Sequence, residues 1–251
     1  MTRWTFFGRI VPERIPLRVV DLPTWTSEVD EFGLRYNIGI QIADGQFVVP
    51  VIIELGKVDV HTLRNVVEND IRLVTDLIGY LHGCSFDVDM ISAVSDDGPS
   101  VIFGTSIPVL EAARKVKAAA IDGVLLTAVG ADLPARLVLA NFREAMRNPV
   151  DTGFFCYRAV EAMMQSMKES KDDKDAPAWI ALGVQLQVHR SATDIIKAHA
   201  DDPRHGKISV INSAERAKVF QLSDEIIKRY LEYLRHGKAP LSDPEFPLLT
   251  P

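Results

Sequence analysis

The sequence predicts an α+β protein, with an N-terminal antiparallel sheet and one long helix followed by a C-terminal all-α bundle. Three observations carry this expectation. Apolar residues alternate at period two through much of the first hundred residues, as strands with one buried face require. A single long helical stripe interrupts that alternation. From about Val109 onward the apolar period is helical and stays so. The 251 residues, 47% hydrophobic and 25% charged, are enough for two packed units. The expected division is residues 1–108 for the sheet domain, 109–132 for a connecting helix and loop, 133–237 for the bundle and 238–251 for an extended tail.

The strands come first. TFFGRIVP and IPLRVV supply one or two of them. Tyr36, Ile38, Ile40 and Ile42 then alternate, and Asp44-Gly45 separates them from a β-rich run over Phe47 to Leu55. Asp-Gly at that place predicts a type I′ hairpin turn, because both central residues need positive φ. Pro50 inside the second run predicts a sheet edge or a bulge. The long helix over VDVHTLRNVVENDIRLVTDLIGYLHG carries Leu63, Val66, Val67, Ile71, Val74, Leu77, Ile78 and Leu81 on its apolar stripe. Asp59 is its expected N-cap and Gly83 its C-terminal stop. A second hairpin runs from FDVDMISAVS to SVIFGTSIP through a turn at residues 96–100.

The helices follow. PVLEAARKVKAAA is a helix, GVLLTAVGADLP an apolar connector, and ARLVLANFREAMRN a helix ended by Asn148-Pro149. GFFCYRAVEAMMQSMKES is the next, with Met163 and Met167 among its core residues. KESKDDKDAP reads as an exposed loop, and AWIALGVQLQVHRSATDIIKAHA as one continuous helix. The last long helix, SAERAKVFQLSDEIIKRYLEYLR, opens with a capping-box pair, Asn212 and Glu215. Its stripe is Val219, Leu222, Ile226, Tyr230 and Tyr233, and a proline-rich tail lies extended after it.

The tetrapeptide RHGK occurs twice, at 204–207 and 235–238, in unlike flanks that argue against internal duplication. The second copy reads as helix termination. Arg235 and His236 oppose the negative helix end, Gly237 turns the chain and Pro240 prevents continuation. The first copy has two readings. In one, Asp201, Asp202 and Pro203 break a helix and Gly206 turns the chain. In the other, Arg204 and His205 face the bundle and form a site beside His199, with Arg190, farther off in sequence, able to point toward the same region.

The stretch REAMRNPVDTGFFCYRAVEAMMQSM, a long helix, DDPRHGKISV and a closing helix ending IIKRYLEYL together resemble a HEPN-like helical bundle over residues 133–236. The resemblance implies a homodimer through the bundle. In its ribonuclease members it implies metal-independent RNA cleavage, with an arginine and a histidine from both chains acting on the 2′-OH and the scissile phosphate. His205 and Gly206 keep the family's HG pair. The positions where the upstream arginine would stand hold Ala198, His199 and Ala200, and Arg204 is adjacent to the histidine instead.

Other chemistry is limited. The net charge of −6 argues against broad coating of nucleic acid. Cys84 and Cys156 make neither a disulfide framework nor a metal-ligand pair. His189, His199 and His205 are not spaced as ligands on successive helical turns. Asp87 and Asp89 share a strand face and read as solvated carboxylates. There is no Walker loop and no GxGxxG, so no cofactor is expected. No apolar run has the length of a membrane helix and no signal peptide is seen, so a cytoplasmic location is expected. The leading functional expectation is a non-catalytic interaction or regulatory module, dimeric through its bundle, with a protein or RNA partner and no membrane. The first alternative is a divergent ribonuclease using His205 and Arg204, assisted by His199 or Arg190. The second is a small-molecule sensor with its pocket in the N-terminal domain.

Overall fold

The computed structural model describes residues 2–12, 17, 20–98, 100–104, 107–113, 123–170, 172–207, 211–242 and 244–251. The chain divides into two compact units, residues 1–105 and 106–251. The first holds an antiparallel sheet with one long helix and the second is helical, as the α+β expectation has it.

In the first unit, β1 (Thr2–Val11) lies between β6 (Gln46–Leu55) and β7 (Asp87–Ser95). The far flank of β6 is shared. β5 (Gln41–Ala43) pairs with its first residues and β4 (Leu34–Ile38) with its later ones. β2 (Val20–Asp21) adds to β5, β3 (Trp25–Val29) to β4, and β8 (Val101–Ile102) to β7. Asp44 and Gly45 have φ of 48° and 75°, and Ala43 faces Gln46, so the two-residue type I′ turn is present. The strand expected over 36–42 is split at Gly39–Ile40 into β4 and β5. Pro50 consequently sits on an interior strand, neither at an edge nor in a bulge. Its carbonyl accepts the Gly39 N–H at 3.1 Å, so its missing N–H falls at the junction between two partner strands.

α1 (Val60–His82) buries Leu63, Val67, Ile71, Thr75 and Gly79, an i, i+4 row. Asp59 caps it, accepting from the His61 and Thr62 N–H groups at 3.0 Å, and Gly83 ends it at φ 67°. Leu77 and Leu81, expected on the buried stripe, are exposed at 58% and 70%. The inward row ends instead on the small residues Thr75 and Gly79, and Gly79 packs close to the Cys84 carbonyl. Polar groups orient the helix on the sheet. Glu68, 1% exposed, pairs with Arg64 and Arg72, and Arg72 also reaches Asp87 at 2.8 Å. Asp89 pairs with Arg9, so each of the two strand carboxylates has an arginine partner. Asp70 accepts from the Tyr36 hydroxyl at 2.5 Å and from Ser27 at 3.3 Å. Burial pushes the Asp70 carboxyl above its ordinary value, and the two hydrogen bonds only partly offset this.

The second unit comprises α2 (Pro108–Ala113), α3 (Gly123–Ala131), α4 (Leu133–Arg147), α5 (Thr152–Gln165), α6 (Asp175–Leu186), α7 (Arg190–Ala198), α8 (Asp201–Arg204) and α9 (Ser213–Arg235). GVLLTAVGADLP, expected as a connector, contains α3, whose Ala128 and Val129 pack on the core. Of the helix expected over PVLEAARKVKAAA, the part from 114 onward lies outside the described residues. α9 is the central element. Val219, Phe220, Ile226 and Tyr230 on it are fully buried among Phe142, Val160, Met163 and Leu182. Its Asn212–Glu215 capping box is formed. Two arginines in phase with its apolar stripe are buried as well. Arg216 donates to the Ala145 and Met146 carbonyls at the end of α4, and Arg229 to those of Leu186 and Gln187 at the end of α6. Among the described residues no single helix is long and apolar enough to cross a membrane. α3 and α4 meet that test only as a pair bent by 103°.

The raised folded-state value of Asp70 sets a sign. Its contribution to stability is fully present below the unfolded carboxyl value and is lost as pH rises through the folded one. Urea unfolding of the native chain and of Asp70→Asn, compared from about pH 3.5 to about pH 7, is expected to show the native midpoint falling relative to the variant's as pH rises.

Candidate ligand groove and the two RHGK segments

The helix expected to run without a break from Trp179 to Ala200 is cut at Gln187–His189. Gln187 takes the left-handed conformation at φ 53°, and both its N–H and that of Val188 donate to the Gly183 carbonyl. His189 then starts α7 as its N-cap, with Nδ1 accepting the Ser191 N–H at 3.2 Å. Three hydrogen bonds to two partners distant in sequence hold this corner. Arg229, 4% exposed, donates to the Gln187 carbonyl at 2.7 Å. The Leu249 N–H donates to the same carbonyl at 2.8 Å, and the His189 N–H donates to the Leu249 carbonyl at 2.9 Å. Val188 and Leu249 thereby form a parallel bridge. Nearer the root of the tail, the Leu241 N–H donates to the Gln185 carbonyl at 2.9 Å, and the Leu241 side chain is buried. The tail is built into the helical unit and is not extended throughout, since the Phe246 N–H donates to the Ser242 carbonyl at 3.1 Å.

A groove of about 730 Å³ opens beside this corner between α6 and α7, with Leu248 of the tail on its wall. Tyr157 and Trp179 stack at its base, with ring centroids 6.0 Å apart and planes 13° from parallel. Ile180 and Val184, one turn apart on α6, line it while 69% and 58% exposed. Charged residues form the rim. Arg190 pairs with Asp194 at 3.6 Å, Lys197 with Asp201 at 3.1 Å and Asp175 with Lys168 at 2.6 Å. Burial, reinforced by the Glu161 carboxylate, pushes the Tyr157 hydroxyl up to about 12, so it remains a neutral donor near neutral pH.

The four residues singled out in the sequence are not brought into one cluster. Arg190 is the first residue of α7 and lines the groove, with its side chain 87% exposed. His199 is the C-cap at the other end of that nine-residue helix, about 13 Å along the axis. It packs against Gly153 of α5, where an added Cβ would overlap its carbonyl and Cβ atoms. Helix α7 ends at Ala198, before Asp201 and Pro203, and residues 201–204 form a separate turn. Pro203 is tolerated there because it lies in a first turn, where N–H groups lack intrahelical partners in any case. Arg204 points back to α5 and pairs with Glu161 at 3.3 Å. His205 is exposed, and it caps the turn through its backbone N–H. Gly206 follows at φ 74°. The expected site of Arg204, His205 and His199 is therefore a helix end in which Arg204 is engaged by a carboxylate.

The second RHGK copy is the helix stop read from the sequence. The Gly237 N–H donates to the Leu234 carbonyl and the Lys238 N–H to that of Tyr233, both reversing past the helix end as a Schellman motif does. Sequence reasoning missed the groove and the two buried arginines. Arg216 and Arg229 each stand three residues from a stripe position, Val219 and Ile226, and that phase was the available signal.

Residues 4–103 match the model of the domain of unknown function (DUF8168) N-terminal domain, and residues 120–235 that of the DUF8168 C-terminal domain. The chain thus carries the two domains of that family in order. No curated protein and no solved structure matches it.

Two substitutions separate these local roles in thermal or urea melts. His236→Ala removes a helix-end imidazole with a weak 3.6 Å contact to Glu232 and is expected to cost at most about 0.3–1 kcal/mol. Gly153→Ala forces α5 away from His199 and is expected to cost more, about 1–3 kcal/mol.

Proposed function

We propose that this chain is a non-catalytic binding module whose ligand site is the groove between α6 and α7. The stacked Tyr157–Trp179 pair carries the proposal: an aromatic floor, half-exposed aliphatic walls and a rim bearing Arg190 and Lys197 meet in one concavity. Its volume lies within the roughly 300–1,000 Å³ typical of small-molecule sites. The chemistry suits a flat apolar body carrying one anionic group. Arg190 and Lys197 are each paired with a carboxylate one turn away on the surface. Such exposed pairs are worth about 0–1 kcal/mol, so an incoming anion exchanges with them at little cost. This reading gives concrete form to the interaction module expected from the sequence and places the ligand in the helical unit rather than in the N-terminal sheet.

The competing reading is a HEPN-like ribonuclease centred on His205. It requires a cation free to take up charge on phosphate beside the imidazole. The pairing of Arg204 with Glu161 and the distance of Arg190 along α7 favour the binding module.

Titration with anilinonaphthalene sulfonate, an aromatic anion, tests the groove. Saturable binding is expected, weakened at least about tenfold by Val184→Glu, which places a carboxylate in the apolar wall. Binding unaffected by Val184→Glu would remove the groove from consideration. A separate assay addresses the ribonuclease reading. Single-stranded RNA incubated with the native chain in chelator is expected to remain intact, with no difference in His205→Ala. Cleavage by the native chain that is lost in a folded His205→Ala variant would establish that reading instead.

A further inference from the structure

The C-terminal arm from Lys238 onward is held by a small set of contacts that a second copy of the chain would supply equally well. Its root is Lys238, whose ammonium pairs with Asp132 at 3.0 Å. Leu241 docks by its buried side chain and its bond to the Gln185 carbonyl. Leu249 docks by its two backbone bonds to Gln187 and His189, with Phe246 and Leu249 half-buried on the core. The receptor for Leu241 and Leu249 is the α6–α7 corner, Gln185 to His189, whereas Asp132 stands apart from it as the N-cap of α4. Between the docking points, Pro244, Glu245, Pro247 and Leu248 are exposed.

The hinge is the second observation. Gly237 and Lys238 both lie in the left-handed region, at φ 66° and 67°. For glycine this is free of strain, but for lysine its Cβ crowds the backbone. The arm folds back onto its own unit only while Lys238 holds that conformation. A short strained hinge followed by a segment with a well-defined docking site is the arrangement that favours exchange between copies. The first docking residue, Leu241, stands three residues past Lys238, a reach of about 10–11 Å, so exchange sets the α9 ends of the two copies side by side.

We infer that the arm is exchanged reciprocally between two copies of the chain. Opening the hinge at Lys238 relieves its backbone, and the contacts of Leu241 and Leu249 are remade in trans on the partner's α6–α7 corner. The dimer so formed has a functional consequence that rests on the groove reading: Leu248 in each groove wall comes from the other copy, so the ligand site is shared. The exchange itself does not depend on that reading. Because the docking contacts are the same in both forms, the balance is set by hinge strain against the entropy of association, and the dimer fraction rises with protein concentration.

The test uses two full-length chains, both carrying Cys84→Ser. Cys156 stays in place, since it is fully buried and burial pushes its thiol up to about 12. One chain carries Val188→Cys and the other Leu249→Cys, the two positions of the parallel bridge. The chains are mixed at high concentration and oxidised. Exchange predicts a disulfide-linked heterodimer in clear excess over a control mixture pairing Val188→Cys with Glu245→Cys, an exposed arm position outside the bridge. Equal yields in the two mixtures would overturn the inference. Light scattering provides a second measurement that needs no cysteine. Lys238→Pro cannot adopt positive φ, so the dimer fraction is expected to rise several-fold over the native chain, and an unchanged or lower fraction would count against exchange. Cross-linking without anilinonaphthalene sulfonate binding overturns the groove reading alone, and binding without cross-linking overturns the exchange alone.

Discussion

A helix that ends inside a protein leaves carbonyl groups without intrahelical donors, and burying them unpaired is costly. The helical unit meets this constraint with two arginines on its central helix. Arg216 reaches the end of α4 and also donates to the Thr152 hydroxyl at 2.9 Å, which itself accompanies the Ala145, Asn148 and Pro149 carbonyls. Arg229 reaches the end of α6. A planar guanidinium with several donors suits such a cluster of oxygens, and the negative end of each helix dipole adds to the attraction. α9 is therefore both the apolar centre of the bundle and the part that fixes where α4 and α6 stop. The groove follows from this, because its shape is set by the angle between α6 and α7 at the corner that Arg229 holds.

The sheet unit uses polar burial in a different way. Glu68 between Arg64 and Arg72, and Asp70 beneath Tyr36 and Ser27, are poor sources of net stability, since desolvation offsets most of their attraction. They define orientation instead. An apolar helix face slides and rotates on an apolar sheet at modest cost, whereas a carboxylate that must meet Tyr36 and Ser27 together fixes the register of α1 over β3 and β4. Unsatisfied groups at this seam penalise other placements.

Much of the local chemistry was legible in the sequence. The Asp44-Gly45 turn, the Asp59 cap and Gly83 stop of α1, the Asn212–Glu215 box and the second RHGK copy each depend on residues within a few positions of one another, and each appears in the structure. The break at Gln187 was not legible. It has no glycine and no proline, and its left-handed residue is held by Arg229 and Leu249, which lie 42 and 62 positions away. The split at Gly39–Ile40 is similar, since it reflects the sharing of one flank of β6 by two strands. The surroundings of the first RHGK copy were not legible for the same reason. Histidine and arginine at adjacent positions draw the eye, but the partner that decides the role of Arg204 is Glu161, a helix away in sequence. The groove is assembled from α5, α6, α7 and the tail, and no single stretch announces it.

The bridge between Val188 and Leu249 also governs how the protein is handled. It seats Leu249 immediately after Leu248, a wall residue of the groove, so that the backbone pairing and the groove lining share one short stretch. Bulk attached to this stretch would sit over Ile180 and Val184 and pull on the bonds that seat Leu249. Dyes and surface tethers are therefore best kept off Leu248 and Leu249 and off the exposed faces of Ile180 and Val184, so that the groove wall and the arm stay as the native chain has them.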